Sequence, residues 1–379
     1  MKKMLSLAAM FAVLSYAAPA SAELKIGGDA SVRMRAEFNA AENTGLATDN
    51  NPNDNVMWQY RLRLKGSADL GDGYFFKTML MSEDKDPKFA AGGWRTAGGT
   101  TYYTNGTATT EDAASPASLA ISQVYFGRNL KNCNYSIGRI PLNSFNNPIF
   151  DLALYPTQPL DTPVNNYNYD RLFGASYGTK VGSGTLNTTL VVLDNSSNTV
   201  SSATNDGLLN DGYAVDVAYA LPLGNVTIEP QIFAVLTNVG ATNITPFTFG
   251  ATVSLPLDKS KLSGGAFYTS ASEDNAAGTG KIADYSGYLL RLKGESGPWM
   301  AWIDYNKTTD DTATGGTTKD YSNMFVWAQY KYTVNQSATG SFSLQPTLRY
   351  RAAATEQASG IQNADTSQLR AEMVATVTF

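Results

Sequence analysis

The sequence predicts an all-β fold, a transmembrane antiparallel β-barrel of about sixteen strands, and three observations lead there. Apolar and polar residues alternate with a period of two along most of the chain. Long polar connections alternate with tight turns, and the first segment has the composition of a cleaved export signal.

The N-terminus comes first because it decides where the rest must fold. Lys2 and Lys3 precede an apolar run from Met4 to Ala18, then Pro19 and Ala20-Ser21-Ala22. A membrane-spanning helix needs about 20 apolar residues. This run is shorter and ends in a small-residue box, so residues 1–22 are expected to be removed after Ala22. Residues 23–379 then form a single barrel. No later stretch resembles a membrane helix, and the mean hydropathy is −0.22. Only a barrel whose strands are apolar on one face combines such polarity with a membrane.

The first mature strand shows the pattern. Leu24, Ile26, Ala30, Val32, Met34, Ala36 and Phe38 alternate with Lys25, Asp29, Ser31, Arg33, Arg35 and Glu37. The second puts Trp58, Tyr60, Leu62 and Leu64 against Gln59, Arg61, Arg63 and Lys65. Gly71-Asp72-Gly73 makes a turn, since glycine takes positive φ at no steric cost. The return strand carries Tyr74, Phe76 and Leu80 on one face and Lys77 on the other. Continuing so, strands are expected near 24–38, 56–69, 74–84, 118–130, 132–139, 170–181, 184–193 and 211–221. Eight more follow near 224–237, 246–255, 261–270, 283–295, 297–306, 321–333, 340–351 and 367–379. Alternation does not choose a face for 132–139 and 170–181, so fourteen and eighteen strands stay open. After the leader no segment has an apolar stripe of helical period.

The connections separate a barrel from a soluble sandwich. Short ones at 70–73, 130–132, 181–184, 221–224, 256–260 and 295–297 alternate with long ones rich in Asn, Asp, Thr, Ser and Gly. Short periplasmic turns and longer extracellular loops are the asymmetry of outer-membrane barrels.

Composition excludes several functions. Histidine is absent, which removes Ser-His catalysis and imidazole metal sites. Cys133 is the only cysteine, so an intrachain disulfide or a cysteine metal cluster is ruled out, and its role stays open. Asp310-Asp311 sits in a polar loop, and Glu83, Asp84 and Asp86 lack calcium-loop spacing. No catalytic residues, metal or cofactor are therefore expected, and the protein is read as a non-enzyme. Charged residues are only 16%, below the usual share of about 25%, as suits a surface that meets lipid. Without Lys2 and Lys3 the 28 basic residues become 26 against 33 acids, a mature charge of −7. Such a balance does not suit a nucleic-acid partner.

The last strand alternates Leu369, Ala371, Met373, Ala375, Val377 and Phe379 with Arg370, Glu372, Thr376 and Thr378. A closing amphipathic strand that ends in phenylalanine resembles the terminal signal of Gram-negative outer-membrane proteins. That resemblance implies recognition of Phe379 by the barrel-assembly machinery. Val124-Tyr125-Phe126-Gly127 through Tyr135-Ser136-Ile137-Gly138-Arg139 resembles the pattern that leads into the third loop of the trimeric, sixteen-stranded general porins. The mature chain as a whole is similar to that family. The resemblance implies a homotrimer in outer-membrane lipid and lipopolysaccharide, with loop 140–169 folded into the lumen as a constriction. Pro141, Pro148, Pro156, Pro159 and Pro163 suit a stiff loop.

A barrel of sixteen strands leaves an aqueous channel, so inward residues carry the mechanism. Passive diffusion of small hydrophilic solutes and ions is expected. Arg33, Arg61, Arg63, Lys77 and Arg139 are placed on one wall of a constriction, facing Asp151, Asp161 and Tyr155 on the loop. Ion selectivity stays open, because the wall is basic and the chain acidic. The alternative is a substrate-specific channel with a lumen binding site, using Tyr155, Tyr167 and Tyr169 or the inward Trp302, Phe325 and Trp327. Trp58, Tyr60, Tyr74, Phe76, Trp299, Tyr330, Tyr332 and Phe342 are candidates for interfacial girdles.

Overall fold

The computed structural model describes residues 23–43, 53–83, 95–96, 101–104, 107–110, 118–142, 146–158, 171–194, 212–237, 244–275, 278–312, 318–357 and 364–379. The expected leader, Asp161, Tyr167 and Tyr169 lie outside the described residues. Sixteen strands make the wall. They are β1 (Glu23–Asn43), β2 (Asn53–Gly71), β3 (Tyr74–Glu83), β4 (Ser118–Asn129), β5 (Cys133–Pro141), β6 (Arg171–Val181), β7 (Gly184–Asp194) and β8 (Gly212–Leu223). Then come β9 (Val226–Thr237), β10 (Phe247–Leu257), β11 (Ser260–Asp274), β12 (Lys281–Ser296), β13 (Trp299–Asp310), β14 (Lys319–Tyr330, continued by Tyr332–Gln336), β15 (Ser341–Gln357) and β16 (Ala364–Thr378). Each corresponds to one segment read from the alternation, and several run further at the loop end.

Every strand pairs antiparallel with its sequence neighbour, and β1 pairs with β16 from Asp29↔Thr378 to Asn43↔Ala364. The sheet is therefore closed and has no free edge, as a bilayer requires of backbone groups that cannot meet water. Two further bonds join the ends: the Gly28 N–H donates to the Phe379 carbonyl at 2.8 Å, and the Phe379 N–H donates back at 3.1 Å. Gly28 is needed there. A Cβ on it would stand 2.4 Å from the Arg63 carbonyl oxygen and 3.0 Å from the Phe379 ring. At the β2–β3 turn, Gly71 and Gly73 have φ of 84° and 80° with Asp72 at 51° between them.

The two faces differ as the alternation predicts. Val32, Met34, Phe38, Trp58, Ile232, Phe249, Leu290, Leu292 and Leu348 are exposed on the outside. Their inward neighbours Arg33, Arg35, Gln231, Thr248, Asp304 and Thr347 are buried. An apolar exterior around a polar interior inverts the soluble arrangement and suits hydrocarbon outside and water inside. Of the girdle candidates, Trp58, Tyr60, Tyr74, Trp299 and Tyr332 are exposed, and Trp299 lies 4.6 Å from Tyr330 between ring centroids.

One element departs from the all-β reading. After β5 the chain enters the barrel and forms α1 (Ile149–Leu154), a helix too short to print a periodic stripe on the sequence. Ile149, Phe150, Leu152 and Ala153 are buried in one cluster with Val191, Ala214, Phe233, Val235, Phe267 and Leu289 from the inner wall. Phe150 meets Phe233 edge-on at 5.0 Å. Burying each large apolar side chain is worth about 1.5–3 kcal/mol, so the loop has a firm seat. Polar contacts extend it: the Asn306 amide and the Thr308 hydroxyl donate to the Pro156 carbonyl at 3.0 and 2.6 Å, and Asn323 donates to the Thr157 carbonyl at 3.3 Å.

Candidate functional site: the barrel lumen

Period-two alternation aims every second residue of each strand into the lumen, and strand register decides which of them meet. On β1 and β2 the inward set includes Asp29, Arg33, Arg35, Glu37, Gln59, Arg61, Arg63 and Lys65. On β15 and β16 it includes Arg349, Arg370 and Glu372. These side chains form two carboxylate-centred clusters and a link. Asp29 faces Arg63 at 2.9 Å, Lys65 at 3.8 Å and Arg61 at 3.9 Å. Glu372, whose side chain is 0% exposed, faces Arg35 at 2.5 Å, Arg349 at 3.0 Å and Arg33 at 3.4 Å. Glu37 links Arg35 at 3.0 Å to Arg370 at 2.8 Å. Each carboxylate is outnumbered, so this wall is net basic. Arg33 also donates to the Gln59 amide oxygen at 2.9 Å.

The wall across the lumen is built differently. In a closed barrel of sixteen strands, β9 lies opposite β1. Here the inner face carries the apolar seat of α1, with Asp216 buried beside it and Glu229 accepting from the Gln231 amide at 2.7 Å. No lysine or arginine occurs from 181 to 258, nor from 140 to 170. The strands β7 to β10 therefore form an acidic quarter without a cation, while β11 and β12, which the loop also touches, carry Lys261, Arg291 and Lys293. Below the loop is a cavity of about 490 Å³ whose lining includes Asn146, Glu229, Gln231, Lys261, Arg291 and Lys293. Lys293 donates to the Asn146 side-chain oxygen at 3.0 Å.

A third region joins the two. Lys293 on β12, Trp302 on β13, Trp327 on β14, Arg349 on β15, Arg370 on β16 and Glu37 on β1 are successive direct cross-strand partners. They make one inner row across six strands, with Phe325 packed against both indoles.

The residues named from sequence fare unequally. Arg33, Arg61 and Arg63 face inward and come together, but Arg33 is only 3% exposed and offers little charge to the open lumen. Lys77 is inward and exposed, with its ammonium 5.2 Å from the Phe75 ring centroid. Arg139 is a correction. It is the cross-strand partner of Val124 and Phe173 on the outer face, beside the exposed Phe126 and Ile137, and donates to the Ile121 carbonyl at 3.0 Å. β5 carries isoleucines on both faces, Ile137 outside and Ile140 inside, so its alternation gave no phase. Asp151 is a second correction: it stands on α1, 2% exposed, and does not present its carboxylate to the lumen. A helix seated on a wall buries more than one side of its circumference. Tyr155 caps α1 and is half-buried, its N–H donating to the Asp151 carbonyl at 2.9 Å. Asp161 lies outside the described residues.

Glu372, Asp29 and Arg349 were missed as lumen residues. Alternation does place all three on inner faces, but only register shows that Glu372 sits among three guanidiniums. Cys133 is on the outer face, paired with Thr179.

No family model matches the chain, and no curated protein matches it. Solved structures do. The outer membrane channel DcaP of Acinetobacter baumannii superposes with a TM-score of 0.55 at 14% identity, over 96% of this chain and 99% of that one. The anion-selective porin from Comamonas acidovorans gives a TM-score of 0.48 at 14% identity, over 93% of this chain and all of that one. The likeness is one of fold. The chain has the closed, sixteen-stranded antiparallel barrel fold of outer-membrane porins and channels.

Proposed function

We propose that the barrel is a passive diffusion channel for small hydrophilic solutes and ions, with the 140–169 loop as its constriction. The observation that carries this reading is the pairing of opposites across the lumen. A net-basic wall on β15, β16, β1 and β2 faces the cation-free strands β7 to β10, on which the loop is partly seated. A transverse field between them orders water and favours solutes with dipoles or charges, while apolar solutes must shed that water without gaining partners. A channel needs no reacting group, and the chain is read as a non-enzyme.

Planar-bilayer recording with graded solutes tests it. Large, steady, weakly selective conductance is expected. Folded protein that passes no current would sink the proposal. Replacing Arg61 and Arg63 with alanine is expected to move the reversal potential toward cations, and an unchanged potential removes them from the selectivity wall.

The second reading, a substrate-specific channel with a lumen binding site, is favoured by the inward Trp302, Phe325 and Trp327. Saturable transport or block by one solute would support it over the first.

A homotrimer in outer-membrane lipid and lipopolysaccharide is proposed with the channel. Arg139 supports it: an arginine turned to lipid costs about 2–4 kcal/mol at mid-membrane, and a neighbouring protomer would relieve that cost. Phe379, an exposed residue at the turn end, is proposed as the signal read by the barrel-assembly machinery.

A further inference from the structure

Tryptophans inside a channel suggest a surface along which solutes slide, but here their faces are already occupied. Trp302 and Trp327 stack on one another with ring centroids 4.6 Å apart and planes 14° apart. The guanidinium carbon of Arg349 lies 3.6 Å from the Trp327 centroid. On the other side Arg291 and Lys293 stand 5.8 and 6.0 Å from Trp302. Phe325 packs edge-on against both indoles at 5.8 and 6.2 Å. Trp302 is 5% exposed and Trp327 8%. The indole N–H groups are also engaged, Trp302 with Asp304 at 3.2 Å and Trp327 with Gln329 at 2.9 Å.

The stack is thus a wedge between two guanidiniums, and the two are not equivalent. Arg291 is held bidentately by Asp304 at 2.6 and 2.7 Å and Lys293 pairs with Glu295 at 3.1 Å, two charges against two, which leaves that end neutral. Arg349 shares Glu372 with Arg33 and Arg35, and Glu37 joins Arg35 to Arg370, four cations against two carboxylates, which leaves that end positive. A guanidinium is planar and stacks on an aromatic face, which an ammonium does not. In a wet lumen a long arginine otherwise samples many rotamers, and its charge is spread and screened.

We propose that Trp327, backed by Trp302, is a positioning residue that holds the Arg349 guanidinium at the lumen wall, and that Arg349 so held is a determinant of preference for anions over cations. The inference deepens the channel reading and rests on it. Solutes are not bound by the tryptophans; they meet the field of an arginine whose place the tryptophans maintain.

Reversal potentials of the purified, folded protein in planar bilayers under a potassium chloride gradient provide the test, with heat-modifiable migration on gels as the folding control. Wild type is expected to prefer chloride. Arg349→Gln is expected to lower the chloride-to-potassium permeability ratio by roughly 2-fold or more, as loss of a lumen charge does. Trp327→Leu, which leaves Arg349 in place, is expected to move the ratio the same way by less, and Arg349→Lys to behave like Trp327→Leu. Trp327→Tyr keeps an aromatic face and is expected to retain the wild-type ratio. Should Trp327→Leu not fold, the contrast between Arg349→Lys and Trp327→Tyr decides the matter alone. A wild-type ratio in Arg349→Gln overturns the role of Arg349. A wild-type ratio in Trp327→Leu or Arg349→Lys shows the stack to be only structural and overturns the positioning claim. Folded wild type without conductance would instead remove the channel reading, and the inference with it.

Discussion

The walls on either side of the lumen obey one rule and reach opposite results. On β1 and β2 alternation aims arginines, lysines and an aspartate inward, and on β9 to β12 it aims Phe233, Val235, Phe267 and Leu289 inward. The outer faces of both regions are alike, because lipid asks the same of each. The inner faces differ because one meets water and solute, and the other meets a loop. The inward Phe233, Val235, Phe267 and Leu289 therefore mark where the loop is seated. The charged wall, in turn, is held by its own carboxylates.

The largest effect that can break this contrast is at Glu372. Glu372→Leu leaves Arg33, Arg35 and Arg349 without their shared carboxylate in a buried setting, a loss of about 3–5 kcal/mol. Urea unfolding in detergent would measure it, and a midpoint equal to wild type would show that the wall does not depend on this carboxylate.

Phe150→Ala attacks the other wall. Deleting a buried phenylalanine ring costs about 3–5 kcal/mol when the whole barrel feels it. Because α1 can lift without unfolding the strands, the readout is local: higher and noisier single-channel conductance with barrel stability close to wild type. Conductance that stays unchanged would mean that the loop does not limit the pore.

Salt sharpens the comparison at lower cost. Raising ionic strength from 0.1 to 1 M shortens the Debye length from about 10 to about 3 Å. Selectivity carried by the more exposed cations, Lys65 at 56% and Arg63 at 29% side-chain exposure, is expected to fall with salt. A preference that survives high salt would assign it to the buried guanidiniums instead. The smallest effect belongs to Lys65→Ala, whose long 3.8 Å pair with Asp29 is worth about 0–1 kcal/mol. Thermal unfolding is expected to move barely at all, while the reversal potential moves slightly toward cations.

The strands were legible one by one because each must present lipid with an unbroken apolar face. β5 is the exception that explains the rule. Ile137 and Ile140 lie on opposite faces, since the inward one touches the loop cluster, and Gly138 between them has a φ of 132°. Two apolar faces leave no phase to read, and Arg139 was turned to the wrong side. α1 escaped notice because six residues are too few for a helical period to stand out beside the prolines. The acidic quarter could have been read from the absence of any lysine or arginine between Lys180 and Lys259.

By itself, the sequence determined a membrane barrel of about sixteen strands, their direction from the short turns, and the outward face of nearly every one, while closure of the sheet decided between fourteen, sixteen and eighteen. These are local properties, written in residues within a few positions of each other. Tertiary structure alone decided the contents of the lumen. Glu372 meets Arg349 and Arg35 from different strands, and Trp302 meets Trp327 across a ladder. Phe150, which follows β5, meets Phe233 on β9, four strands further along the wall. Such meetings depend on register and closure, which join residues far apart in the chain, and a period of two names the face of a residue without naming the neighbour it will find there.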